Sequence, residues 1–107
     1  MEEAITAQGV RFSVIRDGEE AGHAYLYLLK NDLHTRPFGL LEDVYIKPAY
    51  RNKGVASELL QVVLKKAEKD CYKLIATSRN DGTRKAVHEW YIRLGLAQYG
   101  TEFRINF

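Results

Sequence analysis

At 107 residues, with 46% apolar and 28% charged side chains, the chain is sized for a single domain, 1–107, with a modest core, and no apolar run is long enough to span a bilayer. The N-terminus MEEAITAQGVRF is acidic where a secretory leader is basic, and a lone cysteine, Cys71, excludes an internal disulfide, so the expected location is cytoplasmic. The net charge of +2 hides an asymmetry: residues 1–50 carry five Lys/Arg against eight Asp/Glu, whereas residues 51–107 carry eleven against six.

Arg11–Arg16 (RFSVIR) and Ala21–Lys30 (AGHAYLYLLK) are rich in β-branched and aromatic residues, and Asp17-Gly18 between them is a hairpin-turn signal. Phe38–Lys47 (FGLLEDVYIK) reads as a third strand, closed by Pro48. From about Lys53 to Asp70, Val55, Leu59, Leu60, Val63, Leu64 and Ala67 recur at three- and four-residue steps among lysines and glutamates, which predicts an amphipathic helix. Tyr72–Ser78 reads as a short strand, RNDGT as a loop and Arg84–Leu94 as a second helix stopped by Gly95. The last segment, Ala97–Phe107, reads as one long or two very short strands. The predicted order is β-β-β-α-β-α-β, an antiparallel start feeding a crossover, which is an α/β (α+β layered) domain.

The positive excess begins at YRNKGVASELL, where a strand passes through a proline and two cations into a helix opening at Gly54. Unpaired N–H groups at such a helix start, with the positive end of its dipole, suit an anion; Arg51 and Lys53 add charge, Gly54 leaves room and Ala56 keeps the next turn small. An ordinary capped helix start using glycine for its turn fits the same residues. The pattern is neither a P-loop nor a dinucleotide fingerprint, because Gly54 stands alone. With one cysteine and with His23, His34 and His88 far apart in the chain, no metal is expected.

VYIKPAYRNKGVASELL resembles the acetyl-CoA motif of the GCN5-related N-acetyltransferase (GNAT) family: a strand, then R/Q-x-x-G-x-G/A, then a helix. Here the signature is Arg51-Asn52-Lys53-Gly54-Val55-Ala56, with Ala56 where many members carry glycine. A second segment, AVHEWYIRLGL, resembles the family's A-x-x-x-x-Y-x-x-x-G-F, with Tyr91 and Gly95 in place and Leu96 for Phe. The resemblance implies a mixed, mostly antiparallel sheet with two main helices. It implies acetyl-CoA as co-substrate, its acetyl and pantetheine arm on the backbone of Val44, Tyr45 and Ile46 where two strands splay. It places the pyrophosphate on the N–H groups of Asn52, Lys53, Gly54, Val55, Ala56 and Ser57 after Arg51. Thr83 stands where the family has an asparagine facing the arm.

Amide formation from a thioester needs a neutral amine and a proton for the leaving thiolate. The resemblance implies Glu42, on the strand before the acetyl position, as the base acting through water; a solvent-facing edge carboxylate is the competing reading. By strand alternation Asp43 would face the other way. Tyr91 is implied as proton donor to the thiolate, against a core tyrosine on a stripe with Val87, Trp90 and Leu94. His88 is a further candidate for the acceptor side. The acceptor would be a primary amine, of a small molecule or a peptide. A non-catalytic acyl-CoA-binding module fits the same cofactor motif. Nucleic-acid binding through Lys65, Lys66, Lys69 and Lys73 is disfavoured, for no aromatics interleave them. The short C-terminus would leave a sheet edge unpaired, from which a homodimer is expected.

Overall fold

Three antiparallel strands, β1 (Gln8–Arg16), β2 (Glu19–Leu29) and β3 (Phe38–Ile46), form a meander, and β4 (Leu74–Ala76) adds parallel to β3, giving the spatial order β1-β2-β3-β4. Helix α1 (Val55–Asp70) connects β3 to β4, and α2 (Lys85–Arg93) follows β4. The computed structural model describes all residues 1–107, which group into two units, Met1–Ala76 and Thr77–Phe107.

The β1–β2 connection is the expected Asp-Gly turn, with Asp17 at φ 51 and Gly18 at φ 76, the pair of positive angles that matches the twist of the flanking strands. Alternation along the strands then sorts the two faces. Val14, Ala24, Leu26, Leu28 and Leu41 are buried on the face that receives α1, against its Val55, Leu59, Leu60, Val63 and Ala67. The apolar stripe predicted for the helix is the buried one, with Leu64 half-buried at its margin.

The ends of α1 are fixed differently. At the C-terminus the Arg36 guanidinium donates to the carbonyls of Glu68 and Lys69 at 3.2 and 2.6 Å, so a cation satisfies acceptors at the negative end of the dipole. Cys71 follows, buried, and its backbone N–H bonds to the Ala67 carbonyl at 2.8 Å. At the N-terminus the cap is Gly54, and no side chain caps the helix.

The second unit contains α2 and the segment after it. Gly95 ends α2 as expected: at φ 99 it donates to Ile92 O at 3.0 Å while Leu96 N donates to Tyr91 O at 3.0 Å, the paired bonds of a glycine-terminated helix. The strand expected over Ala97–Phe107 is not formed. Its apolar residues Tyr99, Phe103, Ile105 and Phe107 are exposed; their alternation predicts a strand, but a strand exists only beside a partner that takes its backbone hydrogen bonds, and none pairs with this segment.

Candidate active site

β3 outruns its parallel neighbour. Gly39, Leu40 and Leu41 pair with Leu74, Ile75 and Ala76, and there β4 ends. From Glu42 to Ile46 the strand is paired by β2 alone, so its other edge offers backbone N–H and C=O groups to an extended ligand, as the resemblance expects of Val44, Tyr45 and Ile46.

A bulge shapes this open stretch. Tyr25 pairs with Glu42 and His23 with Tyr45, so β3 has one residue more than β2 between these pairs, and Asp43 lies at φ 50. Aspartate tolerates the left-handed region better than most residues. The extra residue breaks the strand alternation, which corrects the expectation that Glu42 and Asp43 face opposite ways. Glu42 sits opposite Tyr25, and Asp43 reaches the same face, its Oδ2 2.9 Å from His23 Nε2. The His23 ring lies edge-on to Tyr25, centroids 5.9 Å apart, and 5.7 Å from Tyr45.

Behind His23 the cluster continues to β1. Arg11 donates through both terminal nitrogens to Glu20, at 2.6 and 2.8 Å, and through Nε to the Tyr25 hydroxyl at 3.2 Å. Glu20 Oε2 is in turn 3.5 Å from His23 Nδ1. The paired hydrogen bonds from Arg11 hold the Glu20 carboxyl down at about 2, and the same bonds raise the Arg11 guanidinium.

After β3 the chain makes a short 3-10 turn, Pro48–Tyr50, whose Tyr50 hydroxyl donates to Arg16 O at 3.4 Å. Arg51 folds back: Nε donates to Ile46 O at 3.0 Å and the guanidinium carbon lies 5.9 Å from the Tyr45 ring centroid. Asn52 at φ 61 and Gly54 at φ 80 turn the chain into α1, whose first internal bond is Glu58 N to Gly54 O at 3.1 Å. The helix begins at Val55, later than the Lys53 expected, so the helical orphan donors are the N–H groups of Val55, Ala56 and Ser57. Val55 itself contributes only backbone, for its side chain is in the core. Glu58, the acid in the first turn, is ion-paired with Arg16, while Lys53 is exposed. The residues fit an acyl-CoA arm and its phosphates: an open strand edge leads to a helix start that no side chain caps, and at Gly54 even an added Cβ would meet nothing within 4 Å.

Thr83 and Tyr91 belong to the second unit. The Thr83 N–H and hydroxyl both donate to Asp81 Oδ1, at 2.9 and 2.5 Å, which lowers the Asp81 carboxyl. Tyr91 is half-buried on α2, its ring 5.7 Å from that of Trp90, and His88 is half-buried on the same helix. Sequence reasoning missed the His23–Asp43 pair. The only signal was a turn-forming Asp inside an apolar strand, and nothing local tells which strand position a bulge will take.

The family model described as Acetyltransferase (GNAT) family matches residues 2–96. A proposed acetyltransferase from Agrobacterium tumefaciens str. C58 superposes with a TM-score of 0.83 at 25% identity, covering 92% of this chain and 69% of that one. An acetyltransferase of Trypanosoma brucei gives 0.81 at 24% identity, with the same coverages of 92% and 69%. The aminoglycoside N-acetyltransferase AAC(6')-Iy, solved in complex with CoA, gives 0.71 at 21% identity, covering 91% of this chain and 74% of that one. A search of curated protein sequences returned no match. A sheet that opens beside β3, a glycine turn onto an uncapped helix and a family match running through both are one result: the chain belongs to the GNAT acetyltransferase family.

Proposed function

We propose that the protein, acting as one domain over 1–107, transfers the acetyl group of acetyl-CoA directly to a primary amine. The observation that carries this reading is the open β3 edge at Glu42–Ile46 running into the uncapped start of α1. The arm is held by the backbone of Val44, Tyr45 and Ile46, and the pyrophosphate by the turn Arg51, Asn52, Lys53 and Gly54 with the N–H groups of Val55, Ala56 and Ser57. Thr83 is assigned a polar contact to the arm. Acetyl-CoA supplies the activated acetyl group as a thioester.

A lysine-like ammonium releases its proton only at about 10.4, so the site must provide an acceptor for it. The bulge brings two carboxylates, Glu42 and Asp43, to one face, and one of them takes this proton, directly or through water. A backbone N–H near Val44 polarises the carbonyl, and Tyr91 gives the departing thiolate its proton. Self-association through unpaired sheet edges is proposed as well, and a mass of two chains by light scattering at micromolar concentration is its expected signature.

The test is a thermal melt with acetyl-CoA, CoA and ATP titrated separately. Ligand at 100 times its Kd adds about 2.7 kcal/mol to the folded state. Acetyl-CoA and CoA raise the midpoint and ATP does not; thiol release with a panel of amines then separates an enzyme from a protein that only binds acyl-CoA. No shift at saturating acetyl-CoA would overturn the proposal.

A further inference from the structure

Resting on that reading of the site, we infer that Asp43, held by His23, is the group that receives the proton of the acceptor amine. Of the two carboxylates on this face, both exposed, only Asp43 is positioned by a partner: His23 Nε2 lies 2.9 Å from its Oδ2, and the aspartate side chain keeps 62% of its surface open to an approaching amine. His23 is the more enclosed partner, its side chain 18% exposed and packed against Tyr25 and Tyr45. One oxygen of Asp43 is therefore fixed from behind by an imidazole while the other is left for substrate.

The groups that face the pair come from three strands. From β1 comes Arg11, committed to Glu20 by two hydrogen bonds. From β2 come Glu20, 3.5 Å from His23 Nδ1, and Tyr25, whose hydroxyl accepts from Arg11. From β3 come Asp43 and Tyr45, with the Arg51 guanidinium over the Tyr45 ring. The imidazole is flanked by two carboxylates, Glu20 at 3.5 Å and Asp43 at 2.9 Å, and Arg11 is tied up with Glu20. The ammonium N–H breaks and an O–H forms on the free oxygen of Asp43, from which the proton passes to solvent, while His23 Nε2–H keeps its hydrogen bond to Oδ2. The freed amine forms the C–N bond as the C–S bond breaks; its second proton passes to solvent, the thiolate gains one from Tyr91, and Tyr91 regains its own from solvent. Asp43 touches the substrate and is catalytic; His23 acts through it and is a positioning residue.

Three variants and two readouts test the assignment, with acetyl-CoA and 1,5-diaminopentane as probes. Thiol release is followed against pH for Asp43→Asn, His23→Gln and Glu42→Gln, alongside the imidazole NMR signals of His23 in the acetyl-CoA complex with and without the diamine. Asp43→Asn is expected to lower kcat by about 100-fold or more with the KM for acetyl-CoA unchanged, and to cost more than Glu42→Gln. His23→Gln, which still donates to Asp43, is expected to lower kcat less than Asp43→Asn while keeping acetyl-CoA binding. Addition of the diamine is expected to shift the His23 imidazole signals in the wild type and in Glu42→Gln but not in Asp43→Asn. His23 signals indifferent to the diamine, or a larger loss in Glu42→Gln than in Asp43→Asn, would overturn the assignment. Acetyl-CoA stabilisation in the melt, unaffected by either result, reports separately on the proposed function.

Discussion

Gly22 on β2 sits opposite Ile46 on β3: a Cβ on Gly22 would stand 2.6 Å from Ile46 Cδ1 and 2.9 Å from the Tyr45 carbonyl oxygen. The oxygen is backbone, so it yields only if β3 itself moves, and β3 at this point is the strand whose far edge is open. Gly22→Ala is therefore expected to lower stability by about 1–3 kcal/mol, the usual range for overpacking, and also to weaken the stabilisation by acetyl-CoA. A melt with and without acetyl-CoA reads both effects. Loss of stability with an undiminished ligand shift would mean that the open edge of β3 does not hold the arm.

Gly54 is the contrasting glycine. An added Cβ meets nothing within 4 Å, so its cost lies in the backbone, held at φ 80. Gly54→Ala is expected to destabilise by about 1–2 kcal/mol from left-handed strain. The larger effect is expected on CoA, because the new methyl sits at the turn where the phosphates are proposed to approach the N–H groups of α1. Calorimetric titration with CoA is expected to show at least tenfold weaker binding, about 1.4 kcal/mol.

Much of this architecture was legible because it rests on local rules. Asp17-Gly18 specified a hairpin through the two positive φ angles it tolerates, and the Val55–Ala67 stripe specified which side of α1 is buried. Gly95 specified where α2 stops. What was not legible is non-local. The bulge at Asp43 depends on which residues of β2 and β3 pair, and only that register reveals that Glu42 and Asp43 share a face with His23. The apolar alternation of residues 99–107 is the converse case, a strand signal without the neighbouring edge that a strand requires.

The Arg11–Glu20 pair makes stability depend on acid. The Glu20 carboxyl is held at about 2 by the hydrogen bonds from Arg11, below its ordinary value near 4.5. The stabilisation is therefore complete above the unfolded value and is lost as pH falls from about 4.5 toward about 2. Glu20→Gln is expected to flatten the dependence of the melting midpoint on pH in that window and to change little of it at neutral pH and above. Because the pair is exposed, added salt is expected to reduce the wild-type slope.

Core packing sets the scale against which such surface effects are measured. Leu60 is 1% exposed on the buried stripe of α1, in a core that holds no buried polar or charged residue. Leu60→Ala is expected to cost about 2–5 kcal/mol, measured by urea unfolding with an unchanged slope.

Cys71 decides between direct transfer and a two-step route through an acetyl-cysteine. Its thiol is buried beside Gly39, 3.3 Å from where a Cβ there would lie, and burial raises it above the ordinary thiol range. A thiol that is both buried and disinclined to ionise is a poor nucleophile, since the thiolate is the reactive form. Cys71 also follows the C-terminus of α1, at the opposite end of the helix from Gly54. Cys71→Ala is therefore expected to lose stability through the small cavity it leaves while retaining thiol release with the amine. Labelling of the native protein by a thiol reagent is expected to be slow and to accelerate on unfolding. Loss of transfer in Cys71→Ala that still binds acetyl-CoA would instead require an acetylated enzyme, detectable as an added acetyl mass on the peptide containing Cys71.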